Sequence, residues 1–488
     1  MKSEEIYLLL CLLKNKGINA EFSHQTVELS KQFGVTLNTV TSLFSALKHT
    51  QSLTVNARYA LRGRGQNDYM LTEKVLSHHN HSTLLQTIIA TQNPAISRLL
   101  SNDLSNLIEP QSSSIPEHES PQKRQSFRAS NRLFLALLLL HSNELGVIEA
   151  LSSTLIRKMM GNISADRFKS QLNTLKKMGL VECHISGMTG KVLFGRMKGS
   201  YYLNTQHPFL KDSFKNVSSL LLDFNQVLYE CNESTEVTCL LHAYRDTRSG
   251  YGQETHQGKL DVYPWPDVMG GCMAGISASP VIHFFHDKAL HNPIHQWVCQ
   301  VASELILLPF DTAHDVRVNQ CNDKLVQLLS PSQSIPLTKL PSVIAQMPSR
   351  HQPSNDLSFL HNVLSVDSQQ QDATLTYWQH VALTRLVLTL GLNMASRYKE
   401  LLKLSGVDVQ HIKQCIVIPR ATFEKPCFHY KVLFILKAGN PKDFKLWIDR
   451  DENVTLVTEE KNQSVTTSLS IQDVMQACTL RKRHYKTQ

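Results

Sequence analysis

One face of the segment Ser164–Met178 carries Arg167, Lys169, Ser170, Asn173 and Lys176 at helical spacing. Guanidinium, ammonium, hydroxyl and amide groups held in such a row are the donors that reach phosphate oxygens and base edges. A more polar, less charged set stands near the N-terminus: Thr36, Asn38, Thr39 and Ser42. Two glycine-containing stretches add cations suited to phosphate contact, Arg62 and Arg64 in the first and Lys191, Arg196 and Lys198 in the second. Far downstream, Arg397 and Glu400 stand three apart, a spacing that can either form an ordinary ion pair on a helix or hold an anion.

Helices and turns must position these side chains. Ser152–Met160 reads as a short helix with Leu151, Leu155, Ile156 and Met159 near a period of four. After a break at Gly161-Asn162, Ser164 caps a longer helix to Met178, with Asp166 in the first turn where the helix dipole favours an anion. Phe168, Leu172 and Leu175 fall at i, i+4 and i+7 and form its buried stripe. Gly179 stops the helix, Leu180–Ile185 reads as a strand, Ser186–Gly190 as a turn, and a second strand follows. The same order runs through the N-terminal residues: helices over Glu4–Leu13 and about Gln25–Phe33, a turn at Gly34, a third helix capped by Thr36 and running to Lys48, then strands at Leu53–Val55 and Tyr69–Leu71. Shifting the sequence by 128 places Gly34-Val35-Thr36 on Asn162-Ile163-Ser164, Phe44 on Leu172 and Leu47 on Leu175.

Both copies resemble the winged-helix superfamily of DNA-binding domains. That resemblance implies a third helix in the major groove and a hairpin wing on the backbone. The recognition residues would be Thr36, Asn38, Thr39 and Ser42 in the first copy and Ser164, Arg167, Ser170 and Asn173 in the second, with Arg62, Arg64, Lys191, Arg196 and Lys198 on phosphates. The fold class expected is mainly α with small β wings, two winged-helix domains followed by a mixed α/β C-terminal region. Residues 1–75 form the first winged helix, and 76–108 a helical extension that packs on it or serves as a dimer surface. Residues 109–130 are a Pro/Ser/Gln-rich linker, and 131–205 the second winged helix.

Beyond these lie a middle region at 206–328, a linker with five prolines at 329–355 and a C-terminal unit at 356–488. Leu220–Leu228 reads as helical, and Ile294–Leu307 as a buried helix started by Asn292-Pro293. In the C-terminal unit, Arg397-x-x-Glu400-Leu-Leu-x-Leu404-x-x-x-Asp408-Val409 resembles the first catalytic box of tyrosine recombinases. The resemblance implies that Arg397 binds the scissile phosphate, that Glu400 supports it and that Lys425 is the general acid. It covers about 60 of the 488 residues, and no second arginine box with a paired tyrosine follows Lys425. Neutralising a transferring phosphoryl group takes more than one arginine, so the set is incomplete and the chain is expected not to be an enzyme.

Composition narrows the field. Fifty basic residues against 41 acidic leave a net charge of +9, which permits nucleic acid as a partner without requiring it. Ten cysteines without a C-x-x-C pair fit reduced thiols. His295 and Cys299 lie at i and i+4 beside His283, His286 and His291, but no second pair stands at zinc-site spacing, and neither metal nor cofactor is expected. The glycines of Gly270–Gly275 lack the Gly-Lys-Ser/Thr end of a phosphate loop. The run Leu133–Leu140 is too short to span a bilayer. The expectation is a cytoplasmic, bacterial, nucleoid-associated protein whose partner is double-stranded DNA. Beside it would stand a second copy of the chain or a recombinase or replication protein. Its role would be that of a transcriptional regulator or accessory factor of a mobile element, with a plasmid-type replication initiator or an integrase-like recombinase as alternatives.

Overall fold

The computed structural model describes residues 1–23, 25–58, 66–77, 82–104, 127–149, 151–190, 195–197, 199–224, 288–307, 386–387, 390–391, 394–419, 429–448, 454–460, 463–470 and 472–473. They divide into two compact units, Met1–Ser186 with Lys198–Val217, and Gly187–Met197 with Ser218–Gln488. The described part combines helices with small antiparallel sheets and one larger mixed sheet. Among the described residues no helix is long and apolar enough to cross a membrane.

The first unit contains one supersecondary order twice. The first copy runs α1 (Ser3–Lys16), β1 (Glu21–Ser23), α2 (Thr26–Phe33), α3 (Leu37–His49), β2 (Leu53–Arg58), β3 (Gln66–Leu71). After α4 (Lys74–Ser77), α5 (Ser82–Ala90) and α6 (Pro94–Ser101), the second copy runs α7 (Ala129–Leu140), β4 (Val147–Ile148), α8 (Ser153–Met159), α9 (Ala165–Lys177), β5 (Val181–Ile185) and β8 (Ser200–Leu203); between the last two in sequence comes the hairpin of β6 (Met188–Gly190) and β7 (Gly195–Met197), which falls in the second unit. The sheets are β1-β3-β2 and β4-β8-β5, so in both the last strand lies between the other two. The shift of 128 holds at the level of backbone angles. Gly34 and Asn162 turn with φ of 61° and 59°, and Gln51 and Gly179 end the third helices with φ of 56° and 71°. Asparagine serves at 162 because its short polar side chain tolerates the left-handed region. Thr36 and Ser164 each accept the backbone N–H three residues on, Thr39 and Arg167 respectively.

Why the copies adhere is legible in α1 and α7. Ile6–Leu13 and Leu133–Leu139 are apolar all round and buried on every side, and Ser130, Asn131 and Arg132 at the start of α7 are buried as well. They pack on each other, and α1 also meets α3, α5 and α6. Tyr7 donates to Leu99 O at 2.7 Å, and Lys14 to Ile89 O and Thr91 O at 3.0 and 2.7 Å. Asn93 caps α6 with Pro94 in its first turn, and Ser213 beyond β8 donates to the same Asn93 side chain at 2.8 Å. Leu84, Leu85, Ile88, Leu99 and Leu100 are therefore core residues, not a dimer surface. Helix α7 begins at Ala129, and Phe127 before it is already buried.

The second unit is built on a six-stranded sheet of order β10-β11-β9-β12-β13-β14. Its strands are β9 (Val217–Phe224), β10 (Ile412–Ile418), β11 (His429–Leu436), β12 (Asp443–Ile448), β13 (Val454–Glu460) and β14 (Gln463–Leu469). β12 runs parallel to β9 and antiparallel to β13. Of the helix expected at Leu220–Leu228, Leu220–Phe224 belong instead to β9 and 225–228 lie outside the described residues; the unbroken run Leu220-Leu221-Leu222 has no alternation to tell a strand from a helix. Helix α10 (Lys288–Ile306) starts before Asn292-Pro293 and carries Pro293 in its second turn, a position where the missing N–H shortens the bonding ladder without ending it. α10 lies on β10: Ser303 accepts the Val417 N–H at 2.8 Å and donates to Cys299 O at 2.6 Å. At Gly391 a Cβ would fall 2.5 Å from Val301 Cγ1, so this approach to α10 requires glycine. Helix α11 (394–404) follows, with Met394, Ala395, Tyr398, Leu401 and Leu402 buried.

Candidate nucleic-acid interface

α9 is an amphipathic helix with its two faces cleanly separated. Phe168, Gln171, Leu172 and Leu175 are buried, and Phe168 packs against Phe134 of α7 with ring centroids 5.2 Å apart. Ser164, Arg167, Lys169, Ser170, Asn173, Lys176 and Lys177 are exposed, and Asp166 is the one acidic side chain of the first turn. Ser164 keeps its oxygen on the Arg167 N–H at 3.2 Å, so the hydroxyl serves the helix end before anything else. Arg157 of α8 donates from Nε to Ile163 O at 2.8 Å, which pins the turn leading into α9. Lys158, exposed at the end of α8, and Lys177 extend the cationic surface; the sequence reading did not select them, although both fall in last-turn positions.

α3 is different. Asn38, Thr41, Ser45, Lys48 and His49 are exposed, so the outer face is polar but almost without charge until its last turn. Thr39, expected to meet a base edge, is instead 8% exposed. Its hydroxyl lies 2.8 Å from that of Thr36 and donates to Glu4 at 3.2 Å. Ser42 is exposed, yet its hydroxyl donates to Glu5 at 2.8 Å. The correction has one physical cause: the N-terminal turn of α1 brings two carboxylates against α3, and they take the hydroxyls. Thr39 is thus engaged inside the fold, and Ser42 could bind an external group only by giving up a charge-assisted bond.

Of the cations expected on the hairpins, Arg62, Arg64, Lys191 and Lys198 lie outside the described residues. Arg196 is placed in β7 opposite Thr189, while its side chain lies outside them. Met188–Gly190, expected as a turn, is the first strand of that hairpin.

The recombinase-like positions divide in the same way. Arg397 and Glu400 sit on α11, each half-buried, and Asp408 caps the following 3-10 turn by accepting the Gln410 N–H at 2.9 Å. Lys425 lies outside the described residues. His295 and Cys299 are buried in α10 with Nε2 and Sγ 3.8 Å apart. Burial pushes the imidazole down to about 4. Among the described residues no three His, Cys, Asp or Glu side chains gather to hold a metal ion.

No protein-family model and no curated protein matches this sequence.

Proposed function

We propose that the chain is a sequence-specific double-stranded DNA-binding protein, a transcriptional regulator or an accessory factor of a mobile genetic element. The observation that carries this reading is the exposed row Arg167, Lys169, Ser170, Asn173 and Lys176 on the third helix of a repeated α-β-α-α-β-β unit. That order, with the third helix followed by a two-strand hairpin, matches the winged-helix resemblance in the sequence. Arg and Asn are the side chains that make paired hydrogen bonds to guanine and adenine, and the lysines fit the phosphates on either side. In this reading α9 does the stronger reading, and Asn38 with the end of α3 supplies a weaker second contact. The test is selection of bound duplexes from a random library. A recovered motif that is lost with Arg167→Ala and Asn173→Ala supports the reading, and recovery of random sequence contradicts it.

A plasmid-type replication initiator is the second reading. It is favoured by the packing of α1 on α7, which joins both copies in one compact unit at a fixed spacing. Such a protein binds direct repeats and melts the neighbouring duplex, so permanganate reactivity beside a repeated site separates it from a regulator.

A further inference from the structure

β14 is the last strand of the six-stranded sheet, bonded on one side to β13 in the register Thr466↔Val457. The opposite end of the sheet is guarded: β10 is packed by α10, and Ser303 takes the Val417 N–H. Among the described residues, β14 carries none of the usual guards of an edge. Gln463-Ser-Val-Thr-Thr-Ser-Leu469 has no charge, no proline and no glycine, and Gln463–Ser468 are exposed on both faces. Val465 is 61% exposed, the highest value among the exposed large hydrophobic side chains. A long, uncharged edge rich in β-branched residues is a template for another strand.

We propose that β14 pairs antiparallel with β14 of a second copy of this chain, joining two six-stranded sheets across a two-fold axis. The argument for a second copy is self-complementarity. In a two-fold antiparallel pair the outward-pointing backbone groups belong to alternate residues, so a residue must pair with one of its own parity, and one residue faces itself. Centring the axis on Thr466 uses the whole strand. Thr466 then faces Thr466, Val465 faces Thr467, Ser464 faces Ser468 and Gln463 faces Leu469. No charge meets its own kind, and hydroxyl pairs and a β-branched pair lie opposite one another, both favourable across strands. Two-fold dimers are the commonest closed assemblies. The proposal does not rest on DNA binding, since the pairing needs no nucleic acid.

Sedimentation velocity of the full chain over a concentration series, without DNA, tests it with three variants. The wild type should pass from monomer to dimer. Thr466→Lys, which sets two ammonium groups face to face, should raise the dissociation constant at least tenfold with an unchanged circular dichroism spectrum. Thr466→Cys should form a disulfide-linked dimer under mild oxidation, above the background of the native cysteines, because facing residues in antiparallel strands lie within disulfide reach. Ser468→Cys, four residues out of register with its copy, should not. A wild type that stays monomeric, a dimer indifferent to Thr466→Lys, or equal crosslinking at 466 and 468 overturns the proposal.

Discussion

Arg132 Nη1 donates to the Tyr7 hydroxyl at 3.2 Å, so the first helices of the two repeats share one buried polar centre. The same guanidinium donates to Phe33 O at 3.1 Å and, from Nε, to Phe127 O at 2.6 Å. It also reaches the side chain of Asn102, the residue whose left-handed backbone ends α6. A Cβ on Gly34 would stand 3.0 Å from Nη2, so the left-handed turn before α3 leaves the guanidinium its room. Arg132 is 4% exposed and its partners are all neutral oxygens. Replacing it with alanine should strand several buried acceptors and cost about 3–5 kcal/mol, an order-of-magnitude figure from the cost of unsatisfied buried groups. Urea unfolding of Arg132→Ala, followed through the first unit, checks this; a loss below about 1 kcal/mol contradicts the shared centre.

The helix caps give a symmetric prediction. Thr36→Ala and Ser164→Ala each remove an oxygen that accepts a helix N–H, and each should lower stability by about 1 kcal/mol. Thr36→Ala should cost somewhat more, since its hydroxyl also meets Thr39. Thermal melts of the two variants and of the pair would show whether the losses add.

Acid should weaken both units. Burial holds the His295 imidazole at about 4 against its ordinary 6.5, and burial, with Lys176 adding to it, brings His184 to about 4 as well. Below 6.5 the unfolded chain takes up protons that the folded chain refuses until the pH nears 4. The stability tied to these neutral rings is therefore complete above 6.5 and is lost as the pH falls from 6.5 to 4. For the fully buried His295 the loss is about 3 kcal/mol. His295→Gln should flatten that part of the stability profile of the second unit, and an unchanged slope would refute the assignment.

Much of the first unit was legible because its signals are local. Gly34 and Asn162, Thr36 and Ser164, and the stripe Phe168, Leu172, Leu175 each declare a turn, a cap or a face within a few residues. β1 escaped because Glu21-Phe22-Ser23 offers one apolar residue and no period. β9 was misread because its run Leu220-Leu221-Leu222 offers no apolar–polar alternation from which a strand could be told from a helix. The loss of Thr39 to Glu4 spans 35 residues of sequence, and nothing near Thr39 announces it. Tertiary contacts of that kind decide which polar residues remain free to bind.

The difference between α3 and α9 makes the proposed binding surface testable residue by residue. Arg167→Ala and Asn173→Ala should each cost about 1–3 kcal/mol on the preferred site and relax its sequence there. Lys169→Ala and Lys176→Ala should weaken all duplexes alike and lower the salt slope by roughly one each. Thr39→Ala should leave DNA affinity unchanged while destabilising the fold, because it loses its bond to Glu4. If instead Thr39→Ala abolishes a base preference, α3 opens on binding and the placement of its hydroxyls changes with it.

In the proposed function α9 reads duplex DNA. Fluorescence anisotropy with a random duplex and with the region upstream of the chain's own gene, across a salt series, addresses it most directly. Affinity should fall steeply with salt on both duplexes, with a clear preference for the upstream DNA that is lost in Arg167→Ala. Absence of binding at low salt would contradict it, and the two repeats would then have to be understood as protein-binding modules.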